Sequence, residues 1–103
     1  MPPEHLTVVT LGRGDLSPDA LRAVAAADQL FGSEPLLDAA RHLAPPTARA
    51  RPVSGAPGAL AAEAASVDGR VTVLVDPAAA DPLAAALGDL APEVPLEVLG
   101  ARR

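Results

Sequence analysis

One segment, residues 6–28, constrains the fold of this chain more strongly than any other. It begins with a short apolar run that includes β-branched valines and ends at Gly12 and Gly14. Such a run is typical of a strand that is buried on both faces of a parallel sheet. The apolar residues of the run are Leu6, Val8, Val9 and Leu11.

A capped helix is predicted directly after the glycines. Ser17 supplies an N-cap hydroxyl, Pro18 stands where a missing amide hydrogen costs nothing, and Asp19 puts negative charge at the positive end of the helix dipole. Open α/β sheets bind ligands at such a strand–loop–helix junction, because the helix points its amide hydrogens at the gap. The predicted inward face of the helix consists of Leu21, Val24, Ala25 and Ala27.

The rest of the chain continues the alternation of strands and helices. Further strands are predicted at residues 29–33, 51–53, 71–75 and 96–99, and further helices at 34–43, 59–67 and 82–90. In the last helix Asp81 is the expected cap and Pro82 the first residue. Its expected inward residues are Leu83, Ala86, Leu87 and Leu90. The alternation predicts one domain over residues 1–103, a small doubly wound α/β fold with about four or five mostly parallel strands and helices on both faces.

The candidate ligand-binding residues follow the first strand and the strand at 71–75. Parallel strands end at the same edge of a sheet, so these residues are expected to lie together. Asp15 could orient a substrate or act as a base. Turn geometry and helix capping are the alternative roles of the same residue types, and capping is the preferred role of Asp81. The candidates are Thr10, Gly12, Gly14, Asp15, Asp76 and Asp81; no catalytic set is recognised among them.

Charge and composition argue against several classes of function. A net charge of −5 disfavours nucleic acid as a partner, because binding phosphates requires a basic patch. The chain has no cysteine, and neither His5 nor His42 has a partner at metal-ligand spacing, so no metal site is predicted and both histidines are expected at the surface. The sequence carries no signal-peptide pattern and no apolar stretch that could span a membrane. A cytoplasmic protein is expected.

Short motifs in the chain resemble those of the amino-terminal domain of the tetrapyrrole methylases, and most closely the branch that methylates C5 of late precorrins. That family has a first strand that ends in GxGPGD, a helix, the pair AD, a second strand with a GS or GG turn, and a later strand that ends in GDP. The matching segments here are TLGRGD at residues 10–15, the pair Ala27 and Asp28, the pair Gly32 and Ser33, and DPAAADP at residues 76–82.

The resemblance implies S-adenosylmethionine as the cofactor and a tetrapyrrole as the substrate. In the family the cofactor lies in a cleft between this domain and a second one of similar size, which is expected to be absent here. Thr10 stands at the first loop glycine, Arg13 at the loop proline and Ala80 at the glycine of GDP. Where the backbone of the family lies close to the cofactor, a side chain in place of glycine fills space that the cofactor would use.

Two functions therefore remain open. The chain is either a component of, or accessory to, cobalamin biosynthesis that is inactive alone, or a non-catalytic binding or interaction module that retains the fold. A weaker third possibility is a module that binds another anionic ligand at residues 12–15. Because the helix at 82–90 and the strand at 96–99 carry few charges, a homodimer, or a complex with a partner chain that supplies the missing half, is expected through the carboxyl-terminal third.

Overall fold

The computed structural model describes residues 3–10, 18–33, 37–38, 42, 46–52 and 57–99. The strands in these ranges are β1 (Pro3–Thr10), β2 (Gln29–Gly32), β3 (Arg49–Pro52), β4 (Gly69–Val75) and β5 (Leu96–Leu99). The helices are α1 (Pro18–Ala25), α2 (Pro57–Ala65) and α3 (Pro77–Leu90). Leu37 and Asp38 are also helical, and the rest of the helix predicted at 34–43 lies almost wholly outside the described residues.

Within the described ranges, the five strands form one sheet in the order β3-β2-β4-β1-β5, and every neighbouring pair is parallel. The register aligns Thr10 with Val75 and Gly32 with Leu74 at the carboxyl ends of the strands. The predicted α/β fold with a parallel sheet and helices on both faces is thereby confirmed.

Alternate residues of the strands divide the core into two layers. On the face that holds α1, Ala20, Val24 and Ala27 pack against the sheet. The sheet residues in that layer are Val9, Leu30 and Leu74, and Leu37 joins them. The opposite face holds α2 and α3, whose buried residues Leu60, Ala61, Ala64, Ala80, Leu83 and Leu87 cover Leu6, Val8, Phe31, Val71, Val73 and Val75.

Asp28 joins three strands at the amino-terminal edge of the sheet. Its backbone N–H donates to the Arg70 carbonyl at 2.8 Å, and its own carbonyl accepts the Arg49 N–H at 3.0 Å. The Asp28 carboxylate accepts the Arg70 N–H at 3.0 Å. Beside it, Gly69 opens β4 with a φ of +88°, a conformation that an L side chain rarely adopts. The conformation of Gly69 and the hydrogen bonds of Asp28 therefore fix the entry into β2, β3 and β4 together.

The predicted start of the last helix was wrong. α3 begins at Pro77 with Asp76 in the N-cap position, and Pro82 lies inside the helix. Asp76 and Pro77 give the same start signal as Asp81 and Pro82, five residues earlier in the chain. The alanines between the two signals favour helix, and a proline in the second turn removes one backbone hydrogen bond. The earlier signal therefore starts the helix.

Several predicted inward residues also lie elsewhere. Leu21 is 39% exposed and Ala25 is exposed, because the residues that face the sheet follow the helical spacing from Ala20 to Val24. Leu90 is 55% exposed, and Ala91 packs against the core in its place. None of the helices in the described part of the chain is long and apolar enough to cross a membrane.

Candidate functional site

The carboxyl-terminal edge of the sheet gathers three of the segments that the sequence marks. β2, β4 and β1 are consecutive in the strand order, so the ends of these strands lie side by side. Thr10 ends β1, Gly32 ends β2, and Asp76 directly follows β4. We call these three residues and Ser33 the carboxyl edge. Gly12, Gly14 and Asp15 belong to residues 11–17, which lie outside the described residues, so their predicted role in binding is untested.

Thr10 makes a structural contact at this edge. The residue is 7% exposed, and its hydroxyl donates to the carbonyl of Leu99 at 3.4 Å. This bond connects the end of β1 to the end of β5. The threonine that stands at the first loop glycine of the resemblance therefore stabilises the edge of the sheet, and its predicted role in ligand binding stays a prediction.

Gly32 of β2 lies close to Leu74 of β4. A Cβ added at this position would lie 3.1 Å from both the Cβ and the carbonyl oxygen of Leu74. Such a contact requires the neighbouring atoms to shift by a few tenths of an ångström, and a backbone oxygen in a sheet shifts less readily than a side chain, so this position favours glycine. The glycine of the second motif thus has a packing role that is independent of any ligand.

The structure separates the two candidate aspartates downstream of β4. Asp76 is exposed at the carboxyl edge, with an extended backbone and no side-chain capping hydrogen bond. Asp81 is exposed within α3, and a separation of five residues places it about 7 Å farther along the helix axis. Asp76 is therefore positioned to meet a ligand at the carboxyl edge, whereas Asp81 faces solvent away from it.

A second site, which the sequence analysis missed, lies on the α1 face of the sheet. It is a groove of about 890 Å³ that runs beside α1 over β4, β1 and β5. The floor is polar: His5 and Thr7 come from β1, and Thr72 comes from β4. The walls include Asp19, Arg22 and Ala23 of α1 and Ala26 directly after it, with Glu4, Arg70, Glu97 and Leu99 at the other positions. We call this surface the α1 groove.

Hydrogen bonds fix two of the floor residues of the α1 groove. The Thr72 hydroxyl, which is almost fully buried, donates at 3.2 Å to the carbonyl of Ala23. That carbonyl belongs to the last turn of α1, where backbone acceptors lack partners within the helix, so Thr72 attaches α1 to the sheet. The Thr7 hydroxyl lies 3.2 Å from Nδ1 of the half-buried His5, within hydrogen-bond distance.

The sequence signal for the α1 groove was the alternation of polar residues within apolar strands. Residues 5 and 7 of β1 and residues 70 and 72 of β4 are polar at a spacing of two, and that spacing puts each pair on one face. His5 was expected at the surface as an isolated residue, but the register aligns it with Arg70, and Thr7 with Thr72. The sequence of either strand alone does not show this alignment, because it depends on the pairing of β1 with β4.

The charges of the α1 groove are paired only loosely. Arg22 lies 3.7 Å from Asp19, and Arg70 lies 3.5 Å from Glu4, with all four side chains more than half exposed. Exposed pairs of this kind contribute little to stability, so the guanidinium groups can exchange these carboxylates for another anion. Among the described residues, no three histidine or acidic side chains form a group that could hold a metal ion.

Comparison of the chain with protein-family models, with curated proteins and with solved structures gave no match. The sequence motifs, the architecture and the geometry of the two sites are therefore the basis for assigning a function.

Proposed function

We propose that this chain is a divergent relative of the S-adenosylmethionine-dependent precorrin methyltransferases that binds the adenosyl cofactor or its product at the carboxyl edge and is not active alone. The observation that supports this most is the strand order. It brings Thr10, the Gly32–Ser33 turn and Asp76 to one edge of β1, β2 and β4. In the resemblance the same three segments carry motifs of the amino-terminal domain, which forms one side of the cofactor cleft. The proposal places the protein in the cytoplasm as a component of, or accessory to, tetrapyrrole synthesis.

The expected inactivity follows from the geometry of methyl transfer. The sulfonium of the cofactor is already activated, so the protein mainly holds donor and acceptor in line and excludes water. The carboxyl edge is one wall of the cleft that the resemblance implies. One wall alone cannot fix two reactants, so residues 1–103 need a second wall to complete a cleft.

The alternative is a non-catalytic interaction module that keeps the fold without the cofactor. The buried, hydrogen-bonded side chain of Thr10 favours this alternative, because it occupies the position of a loop glycine. The packing role of Gly32 against Leu74 also explains that glycine without a ligand. A measurement of cofactor binding distinguishes the two functions.

Binding of S-adenosylhomocysteine, followed by calorimetry, tests the proposal. We expect weak saturable binding, with Kd near ~1 mM for a half-cleft, and no methyl transfer to a precorrin by the 103-residue chain. Asp76→Asn removes a carboxylate at the carboxyl edge and is expected to raise Kd about tenfold or more, the loss of one charge-assisted hydrogen bond. Asp81→Asn is the matched control, since that exposed side chain lies along α3, and it should leave Kd unchanged.

Absence of binding by the unmodified chain would contradict the proposal and favour the interaction module. Equal effects of the two substitutions would contradict the placement of the ligand at Asp76. Turnover of a precorrin by the chain alone would contradict the expected inactivity.

The proposal includes a homodimer that forms through β5. This strand is an edge of the sheet and presents Val98, which is 45% exposed. The opposite edge, β3, carries Arg49, Arg51 and Pro52, which discourage pairing. Antiparallel pairing of β5 with a second copy can align Val98 with its counterpart and place Glu97 opposite Leu99, so that the two glutamates do not face each other directly.

Light scattering after size exclusion tests the homodimer. We expect a dimer at micromolar concentrations, and a monomer for Val98→Glu, because a buried charge at the centre of the interface lacks a partner. Leu21→Glu is the matched control, since Leu21 is exposed to a similar degree on α1, and it should remain dimeric. A monomeric unmodified chain, or a Val98→Glu variant that stays dimeric, would overturn this part of the proposal.

A further inference from the structure

We propose that the α1 groove binds a short zwitterionic peptide of about two or three residues, lying across the strands from Arg70 to Glu97. This site is separate from the carboxyl edge and does not depend on the function proposed there. The inference rests on the position of the groove, its polar floor and the arrangement of its charges.

The α1 groove exists because the sheet is covered unevenly. α1 packs through Ala20 and Val24 against Leu30 and Leu74, which lie on β2 and β4. Beside it, the same face of β1 and β5 borders the groove, where Thr7 and Glu97 are in register. Doubly wound sheets are usually apolar on both faces, so the row of Thr72, Thr7 and Glu97 departs from the pattern of this fold. Such departures are typical of functional sites.

The α1 groove carries charges of both signs. Arg22 of α1 and Arg70 of β4 lie on one side, each beside an exposed carboxylate that also lines the groove, Asp19 or Glu4. Glu97 of β5 lies on the other side. A ligand with an anionic and a cationic end can exchange with these loosely held pairs, whereas a simple anion would face three carboxylates.

The separation of the two sides sets the length of the ligand. β4 and β5 flank β1, and Arg70 is in register with His5 whereas Glu97 is in register with Thr7. Two strand spacings and an offset of two residues place Arg70 and Glu97 about 12 Å apart. An extended tripeptide has about the same span. The volume of about 890 Å³ is within the range of small-molecule sites. His5 and Thr7, midway along the path, can hydrogen-bond the peptide amides, and Ala23, Ala26 and Leu99 supply apolar contacts for small side chains.

Titration of the isotope-labelled chain with trialanine, followed by amide NMR shifts, tests the proposal without any substitution. We expect saturable shifts at Thr7, Thr72 and Ala26 with Kd in the range of ~1–10 mM. N-acetyl-trialanine lacks the ammonium and trialanine amide lacks the carboxylate, so each is expected to bind about tenfold more weakly, a difference of ~1.4 kcal/mol. Equal binding by the capped peptides, or no saturable shifts in the groove, would overturn the proposal.

Substitutions of exposed residues provide a second test. Arg70→Gln and Glu97→Gln each remove one charge, from opposite sides of the α1 groove, and are expected to raise Kd for trialanine about fivefold or more. Arg51→Gln, on the exposed edge strand β3, is the matched control and should leave Kd unchanged. If Arg70→Gln and Glu97→Gln keep native spectra and bind trialanine as tightly as the control, these two charges do not determine binding and the proposal is wrong.

Discussion

Phe31→Ala is expected to lower the free energy of unfolding by about 3–5 kcal/mol. Phe31 lies in β2 and is fully buried in the layer beneath α2 and α3. It is the only aromatic residue of the chain, and its neighbours in this layer are leucines, valines and alanines. Rigid strands on both sides of β2 limit how far these neighbours can collapse into the space that the ring leaves, so the cavity remains.

The loss is large relative to the stability expected of a domain of this size, about 5–15 kcal/mol. Urea denaturation followed by far-ultraviolet circular dichroism measures this loss of stability. This signal does not depend on tryptophan, which the chain lacks. Leu21→Ala, on the exposed side of α1, is the control and is expected to cost no more than about 1 kcal/mol. A cost below about 1 kcal/mol for Phe31→Ala would show that the ring is not packed as described.

Gly69→Ala is expected to cost about 2–4 kcal/mol, the sum of backbone strain and a weakened hydrogen bond. Gly69 has a φ of +88°, and a Cβ there would lie 2.8 Å from Oδ2 of Asp28. The same oxygen accepts the Arg70 N–H at 3.0 Å, so it cannot move away without losing that bond. The substitution therefore disturbs the point where β2, β3 and β4 begin.

Urea denaturation also measures this effect. Gly88→Ala is the matched control, because Gly88 lies inside α3 with no atom within 4 Å of an added Cβ. It is expected to raise stability by about 0.5–1 kcal/mol through helix propensity. If both substitutions stabilise the protein, the positive φ and the contact with Asp28 are wrong.

Much of the fold could be predicted because local signals and tertiary structure agree. The apolar residues of β1 and β4 stand between glycines, prolines or aspartates, and both strands formed as expected. β3 is harder to predict, since an edge strand with the sequence RARP has no hydrophobic period. It was predicted at residues 51–53 and lies at Arg49–Pro52. The start of α3 was missed because two Asp-Pro pairs compete, and only packing of Ala80 into the core distinguishes them.

The two sites also differ in how far the sequence indicates them. Strand ends and glycine turns indicate the carboxyl edge, because any parallel sheet gathers them there. The α1 groove could not be found from the sequence alone, since it depends on the strand order that puts β1 between β4 and β5. His5, Arg70 and Glu97 are distant in sequence, and only the register brings them to one face.

The most direct test of the proposed function is an amide NMR titration of the full chain with S-adenosylhomocysteine. We expect saturable shifts centred on Gly32, Ser33 and Asp76, at the ends of β2 and β4, with the amides of Thr7 and Thr72 in the α1 groove unaffected. No saturable shift at the carboxyl edge, or shifts confined to the α1 groove, would contradict cofactor binding at this edge and with it the proposed relation to the methyltransferases.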